Sequence, residues 1–193
     1  IHPIEYEANF DITAPLTTYN FINAWSQAPF ARYLVNTVMM TSMIIVCQFT
    51  LCTFVAFAFA RFDFPFKNFL FALVLLQLLI MPDILIVENY KTIRFLGIMD
   101  TILAIGLPYM ASGFGIFLLR QTFMSIPKEL DDAAKIDGAG VLRVIWNVYI
   151  PLSIPTFVAY GLVSVSFHWN NFLWPLIITN SVETRPLTVS LSI

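Results

Sequence analysis

The residues able to do chemistry gather in a few places. Over residues 125–155, Glu129, Asp131, Asp132, Lys135 and Asp137 crowd into an otherwise apolar chain. The run His168-Trp169-Asn170-Asn171 supplies amides and an indole, the hydrogen-bonding groups and aromatic platform that a hydroxyl-rich solute needs. Asp83 stands beside Pro82 in an apolar run, where an acid is costly unless it faces protein or water. No catalytic pattern joins these groups. There is no Gly-x-x-x-x-Gly-Lys-Ser/Thr loop and no glycine-rich turn after a strand to hold a nucleotide. Neither His2 nor His168 has a metal-ligand companion at helical or loop spacing, and no serine is set with a histidine and an acid. The chain is expected to hydrolyse nothing itself and to carry no metal or cofactor. Plainer readings stand beside these. Asp83 also fits an interfacial cap at a proline kink. Trp169, Asn170 and Asn171 also fit an aromatic belt whose asparagines bond neighbouring helices, and His168 reads as a packing or hydrogen-bonding residue.

The elements that position these groups must lie in lipid. The chain is 59% hydrophobic and 11% charged, with a mean hydropathy of +0.79, whereas soluble domains carry about 25% charged residues. A net charge of −2 without a basic cluster excludes a nucleic-acid partner. Cys47 and Cys52 point in different directions on a helix and match no metal or disulfide framework. Long apolar runs predict an all-α, polytopic transmembrane bundle, a single domain over residues 1–193. Its spans are expected at about residues 33–60, 68–87, 101–123 and 151–178. Residues 1–32 are too mixed to cross and read as a lead-in, with 18–25 either an interfacial helix or a surface segment. Gln48 and the threonines of the first span should face other helices. Gly113-x-Gly115 should thin the third span for close contact, and residues 88–100 read as a polar loop.

The charged stretch reads as a short helix over about residues 126–138. Ser125-Ile126-Pro127 is a helix start, the acids that follow suit a helix N-terminus, and Gly138 suits its left-handed end. Leu130, Ala133, Ala134 and Asp137 recur at one face. That face is small and shallow, so another protein's backbone could approach it. Placing Arg61, Lys67, Arg120, Lys128, Lys135 and Arg143 on one side leaves Arg32, Lys91, Arg94 and Arg185 on the other. This bias puts the short helix in the cytoplasm.

Glu129 to Ala139, followed by Pro151-Leu152 and Pro155, resembles the Glu-Ala-Ala loop of ABC importer permeases, with Asp132 where the family usually has glutamate. Leu34, Asn36 and Thr37, then Asn89-Tyr90, Leu96-Gly97-Ile98 and Asp100-Thr101, and the Trp169-Asn170-Asn171 segment resemble other parts of that family's pattern. The likeness is nearest to sugar-type permeases, including glycerol-phosphate-type relatives. It implies a type I permease fold and a place in the bacterial cytoplasmic (inner) membrane. It also implies a second permease subunit, a pair of ATP-binding subunits carrying ATP and magnesium, and an extracytoplasmic solute-binding protein. The solute would be a carbohydrate, a polyol or a glycerol phosphate. By the same resemblance, Glu129 to Asp137 form a coupling helix. In it Asp132 is the charged contact, Ala133 and Ala134 the close-packing face, Asp137 part of the same surface and Gly138 the corner. Trp169, Asn170, Asn171 and Asp83 are the pathway candidates. The first and last spans of the subunit are expected to lie outside the 193 residues. An amino-acid or peptide permease is the runner-up. An ion-coupled carrier fits less well, because the spans hold almost no charge and no internal repeat is visible.

Overall fold

From Phe30 to Arg61 the chain has no proline or glycine, and it forms one 32-residue helix, α1. At 1.5 Å per residue that is about 48 Å, enough to cross a bilayer with tilt to spare. Its buried residues, among them Asn36, Thr37, Met40, Ile44, Gln48 and Cys52, recur every three or four positions. Asn36, Thr37, Thr41, Gln48 and Thr53 therefore face protein, as polar groups in hydrocarbon usually do, whereas Ser42 and Thr50 are exposed, the Thr50 hydroxyl bonding the Val46 carbonyl of its own helix at 2.8 Å. This computed structural model describes Trp25 and residues 29–192. The chain divides into two units between Phe30 and Ala31. In the first, Trp25 stacks on Phe30 with ring centroids 5.7 Å apart; the rest of the expected lead-in over 1–24 lies outside the described residues. Among the described residues every regular element is helical.

α1 is the one described helix long and apolar enough to cross by itself; the other expected spans are bent pairs. α2 (Lys67–Leu76) runs on as a tight turn to Leu79. The chain then extends through Ile80 and Met81 and turns by 93° into the segment Pro82–Phe95. The cause is Pro82, which lacks an N–H and forces its predecessor out of the helical region. The helix within the span expected over 68–87 is thus broken after Leu79. The expected polar loop holds helix α3 (Ile86–Phe95), whose Ile93 is buried. α4 (Ile102–Gly106, tightening to Tyr109) and α5 (Gly113–Ser125) meet at 51°. Ser112 is extended there and caps α5, its hydroxyl accepting the Gly115 N–H at 3.2 Å. α6 (Glu129–Ile136) follows, shorter than the 126–138 expected. Next come α7 (Val141–Val144), a wide π turn (Ile145–Tyr149), α8 (Ile150–Leu152) and α9 (Ile154–Trp169). The bend of 77° in this stretch falls at Ser153, where Pro151 and Pro155 each remove a helical donor. Residues 170–172 interrupt the span expected over 151–178 before α10 (Leu173–Ile178). A last turn is α11 (Leu187–Ser190).

Two apolar clusters hold these pieces. At the Arg61 end, Phe57, Leu119, Phe123 and Tyr149 are buried together. Towards the other end, Met40, Ile44, Ile93, Ile105 and Trp174 form the second. There the Trp174 indole donates to the Ile105 carbonyl at 3.1 Å. The glycines of the third expected span are used for contact. A Cβ on Gly115 would lie 2.5 Å from the Tyr160 ring of α9, and one on Gly113 would lie 2.7 Å from the Val74 carbonyl of α2.

The segment 180–187 is fastened to the end of α1 opposite Arg61. Asn36 donates to the Glu183 and Arg185 carbonyls at 2.7 and 3.0 Å, and Thr37 accepts from the Leu187 N–H at 2.9 Å. Asp100, held at φ 59°, accepts from the Asn180 and Ser181 N–H groups at 2.9 and 3.1 Å and from the Thr184 hydroxyl. Desolvation raises the Asp100 carboxyl, but those donors outweigh it and bring it from the ordinary 3.8 down to about 2.

Two predictions follow from this packing. Gly115→Ala should destabilise the protein by about 1–3 kcal/mol in thermal unfolding, the usual cost of overpacking. Gly140→Ala, with nothing within 4 Å and φ −72°, should leave the transition in place. Because the folded carboxyl of Asp100 is depressed, its contribution is complete above about pH 4 and is lost as pH falls towards 2. Amide exchange over 180–184 should therefore quicken across that window, beyond the intrinsic pH effect, and Asp100→Asn should abolish the dependence.

Candidate functional site

The exposed end of the site is α6. Its acids begin with Glu129, Asp131 and Asp132 in the first turn, favoured there by the helix dipole. They do not all face the same way. Asp131 turns inward to Arg61, the last residue of α1, at 3.2 Å, with side-chain exposures of 14% and 6%. Tyr149 completes the cluster: its hydroxyl donates to Asp131 at 2.6 Å and accepts from Arg61 Nε. A second Arg61 nitrogen donates to the Ile126 carbonyl at 2.5 Å. One guanidinium thus holds the start of the loop, the short helix and the π turn beyond it. A fork of fixed donors suits such a junction better than an ammonium would.

This anchoring sets which residues remain free. Ala134, three residues beyond Asp131 and so on its side of the helix, lies against the apolar cluster of Phe57 and Phe123. Of the expected pair, Ala133 is exposed, while the half-buried Ala134 packs against its own chain. Glu129, Asp132 and Asp137 are exposed too, and Asp132 makes only a surface pair with Lys135 at 3.3 Å. Ile136, absent from the expected face, is 87% exposed. Gly138 has φ 73° with open space around it, the left-handed end expected of it.

The buried end of the site is Gln48, near the middle of α1 and 4% exposed. Its amide nitrogen donates to the Tyr109 carbonyl at 2.8 Å and lies 3.2 Å from His168 Nε2. Its oxygen accepts the hydroxyls of Tyr160 at 2.9 Å and Ser164 at 2.6 Å. All four hydrogen-bonding positions of the amide are filled. Since the nitrogen is the donor, His168 accepts at Nε2 and carries its proton on Nδ1. That buried Nδ1 has no partner.

Beside this node lies a cavity of about 640 Å³. Gln48, Gln77, Asn89, Ser112, Ser164 and His168 are its polar lining, and leucine, proline and aromatic side chains form much of the rest. Among the pathway candidates, Asn171 reaches the Tyr109 hydroxyl, and Asp83 acts on it electrostatically. Both stand near the cavity without lining it. Asn170 is exposed and bonds its own helix at Ser166, 2.7 Å away. Trp169 is half-buried and also outside the lining. His168, one residue earlier, is the member of that run that reaches the wall. Among the described residues no cluster of His, Cys, Asp or Glu could hold a metal.

The helical bundle thus carries a short anchored helix at the Arg61 end and a mostly apolar cavity beside Gln48. The chain belongs to the family described as "Binding-protein-dependent transport system inner membrane component", which residues 31–192 match. It is 35% identical over 178 residues to the sn-glycerol-3-phosphate transport system permease protein UgpE of Yersinia enterocolitica, covering 89% of this chain and 63% of that protein. The UgpE of Agrobacterium fabrum is 35% identical over 119 residues, 62% of this chain and 42% of that one. The chain therefore spans less than two thirds of the curated relatives it matches. The fold is similar, with a TM-score of 0.77 and 25% identity, to a crystal structure of a bacterial ABC transporter involved in the import of the acidic polysaccharide alginate. That likeness covers 84% of this chain and 57% of the other. The all-helical arrangement is the type I importer permease fold that the sequence leads one to expect.

Arg61→Met should cost about 3 kcal/mol in thermal unfolding, since it strands the Asp131 carboxylate in a largely buried place. The double variant Arg61→Met/Asp131→Leu should recover most of that loss. Additive losses would show that the pair is not coupled.

Proposed function

We propose that this chain is the permease subunit of an ATP-driven importer in the bacterial inner membrane. With a second permease subunit it forms the path for a carbohydrate, polyol or glycerol-phosphate solute. A solute-binding protein delivers the solute from outside. ATP and magnesium act on a pair of ATP-binding subunits, and α6 meets them in the cytoplasm. The observation that carries this reading is the arrangement of α6: fastened to α1 through Asp131 and Arg61, it leaves Glu129, Asp132, Ala133, Ile136 and Asp137 free on its outer side. Closure of the ATP-binding pair would push on that side. The Arg61 junction would pass the displacement to α1 as a rigid-body movement. The helix is docked from outside and tied from inside, which is what a mechanical coupling needs.

Ala133→Arg and Ile136→Asp load the free side without touching the anchored one, and Gly138→Val strains the turn behind it. Each should cut solute-stimulated ATP hydrolysis and uptake in the reconstituted complex by about tenfold or more, while insertion into the membrane continues. Normal coupling in all of them would remove α6 from the role.

A further inference from the structure

We propose that the cavity beside Gln48 is a subsite for a neutral, hydroxyl-rich solute, bound through Gln77, Asn89 and the Nδ1–H of His168, and that it does not accept a phosphate group. The proposal deepens the importer reading and rests on it.

The first argument is which polar groups are in use. Gln48 is saturated by its four partners, so it shapes the wall and has nothing left to offer. Ser112 is engaged as the cap of α5. Gln77, itself exposed, accepts the Gly113 N–H at its oxygen at 2.8 Å, and among the described residues its amide N–H groups have no partner. Among the described residues the Asn89 amide has no partner. His168 lines the same cavity, is 4% exposed, and has a donor without an acceptor among the described residues. A buried donor without a partner is destabilising, and a ligand oxygen would relieve it. The remaining wall is apolar, and Phe114, Phe167, Tyr109 and Tyr160 bring aromatic rings to it. A few convergent polar groups in an apolar, aromatic-rich cavity are how proteins hold small hydroxylated molecules.

The second argument is charge. No lysine, arginine, aspartate or glutamate lines the cavity, and the histidine is held neutral by the Gln48 donor. Asp83, outside the lining, is close enough to act on Tyr109. A phosphate desolvated here would meet no cation in the lining. Hydroxyls, which both donate and accept, match amides and an imidazole N–H without a charge to neutralise. Named similarity to glycerol-phosphate permeases therefore does not fix the solute this half of the path can hold.

The test uses the full-length subunit in its purified importer complex, without nucleotide. Equilibrium binding is measured for maltose, sorbitol and glycerol, and for their charged counterparts glucose 6-phosphate and sn-glycerol 3-phosphate. At least one neutral compound should bind in preference to the phosphate esters. Gln77→Leu and Asn89→Leu should each weaken it about fivefold to tenfold, the value of one hydrogen bond. Because Gln77 also supports Gly113, Asn89→Leu on α3 serves as the variant whose folding is not in question. His168→Phe should weaken binding by a similar factor without altering the maltose-to-phosphate order. Preference for a phosphate ester, no binding of any neutral compound, or variants that bind like the parent would overturn the subsite. ATP-driven uptake by the same complex is read separately. Its loss with nucleotide-free binding intact would count against the importer reading and not against the chemistry of the cavity.

Discussion

A primary amide in the middle of a long apolar helix cannot be left facing hydrocarbon, and much of this fold can be traced to that constraint. Gln48 must place two donors and two acceptor sites, and it does so on a carbonyl, an imidazole and two hydroxyls. Those partners come from the end of α4 and from three successive turns of α9. Tyr160, Ser164 and His168 are four residues apart, so one helical face delivers all three. Gly115 lets the Tyr160 ring come in where any side chain would exclude it. The cavity is what remains when helices meet through a polar node instead of a stripe of leucines.

α1 carries three attachments along one rod. Asn36 and Thr37 hold the segment 183–187 at one end, Gln48 binds the α9 face near the middle, and Arg61 holds α6 at the other end. Gln48 and Arg61 are thirteen residues apart, about 20 Å along the helix. An uninterrupted helix transmits axial displacement over such a distance, whereas the bent pairs around it can flex at their breaks. The only straight crossing element among the described residues is thus the one that joins the external helix to the cavity.

Much of this was legible in the residues. The all-helical class, the short acidic helix between apolar runs, the left-handed Gly138 and the use of Gly113 and Gly115 for close approach all follow from composition and local conformational rules. The inward side of α6 did not. Helical periodicity groups Leu130 with Ala133, Ala134 and Asp137, but it cannot tell which face a distant arginine will claim, and Arg61 lies seventy residues before Asp131. Gln48 was visible as a polar interruption; its partners, more than a hundred residues away at Tyr160 and Ser164, were not. The bend at Pro82 was readable as a kink, yet its 93° depends on two extended residues before the proline. The Trp-Asn run itself lies outside the cavity lining. The lining residue is His168, because α9 ends at Trp169 and the asparagines fall past its last turn.

The breaks and the cavity also belong together. Ile80 and Pro82 flank one bend, Ala111, Ser112 and Gly113 form another, and all of them line the cavity. Backbone that leaves the helical ladder within a bilayer must be satisfied by protein or water, since lipid offers no partner. Gln77 meets that requirement at Gly113 and Ser112 meets it at Gly115. The same cavity that interrupts the helices therefore makes the interruption tolerable. A sequence that straightened Pro82 and Ser112 into regular spans would remove the irregular backbone and, with it, much of the wall against which a solute could rest.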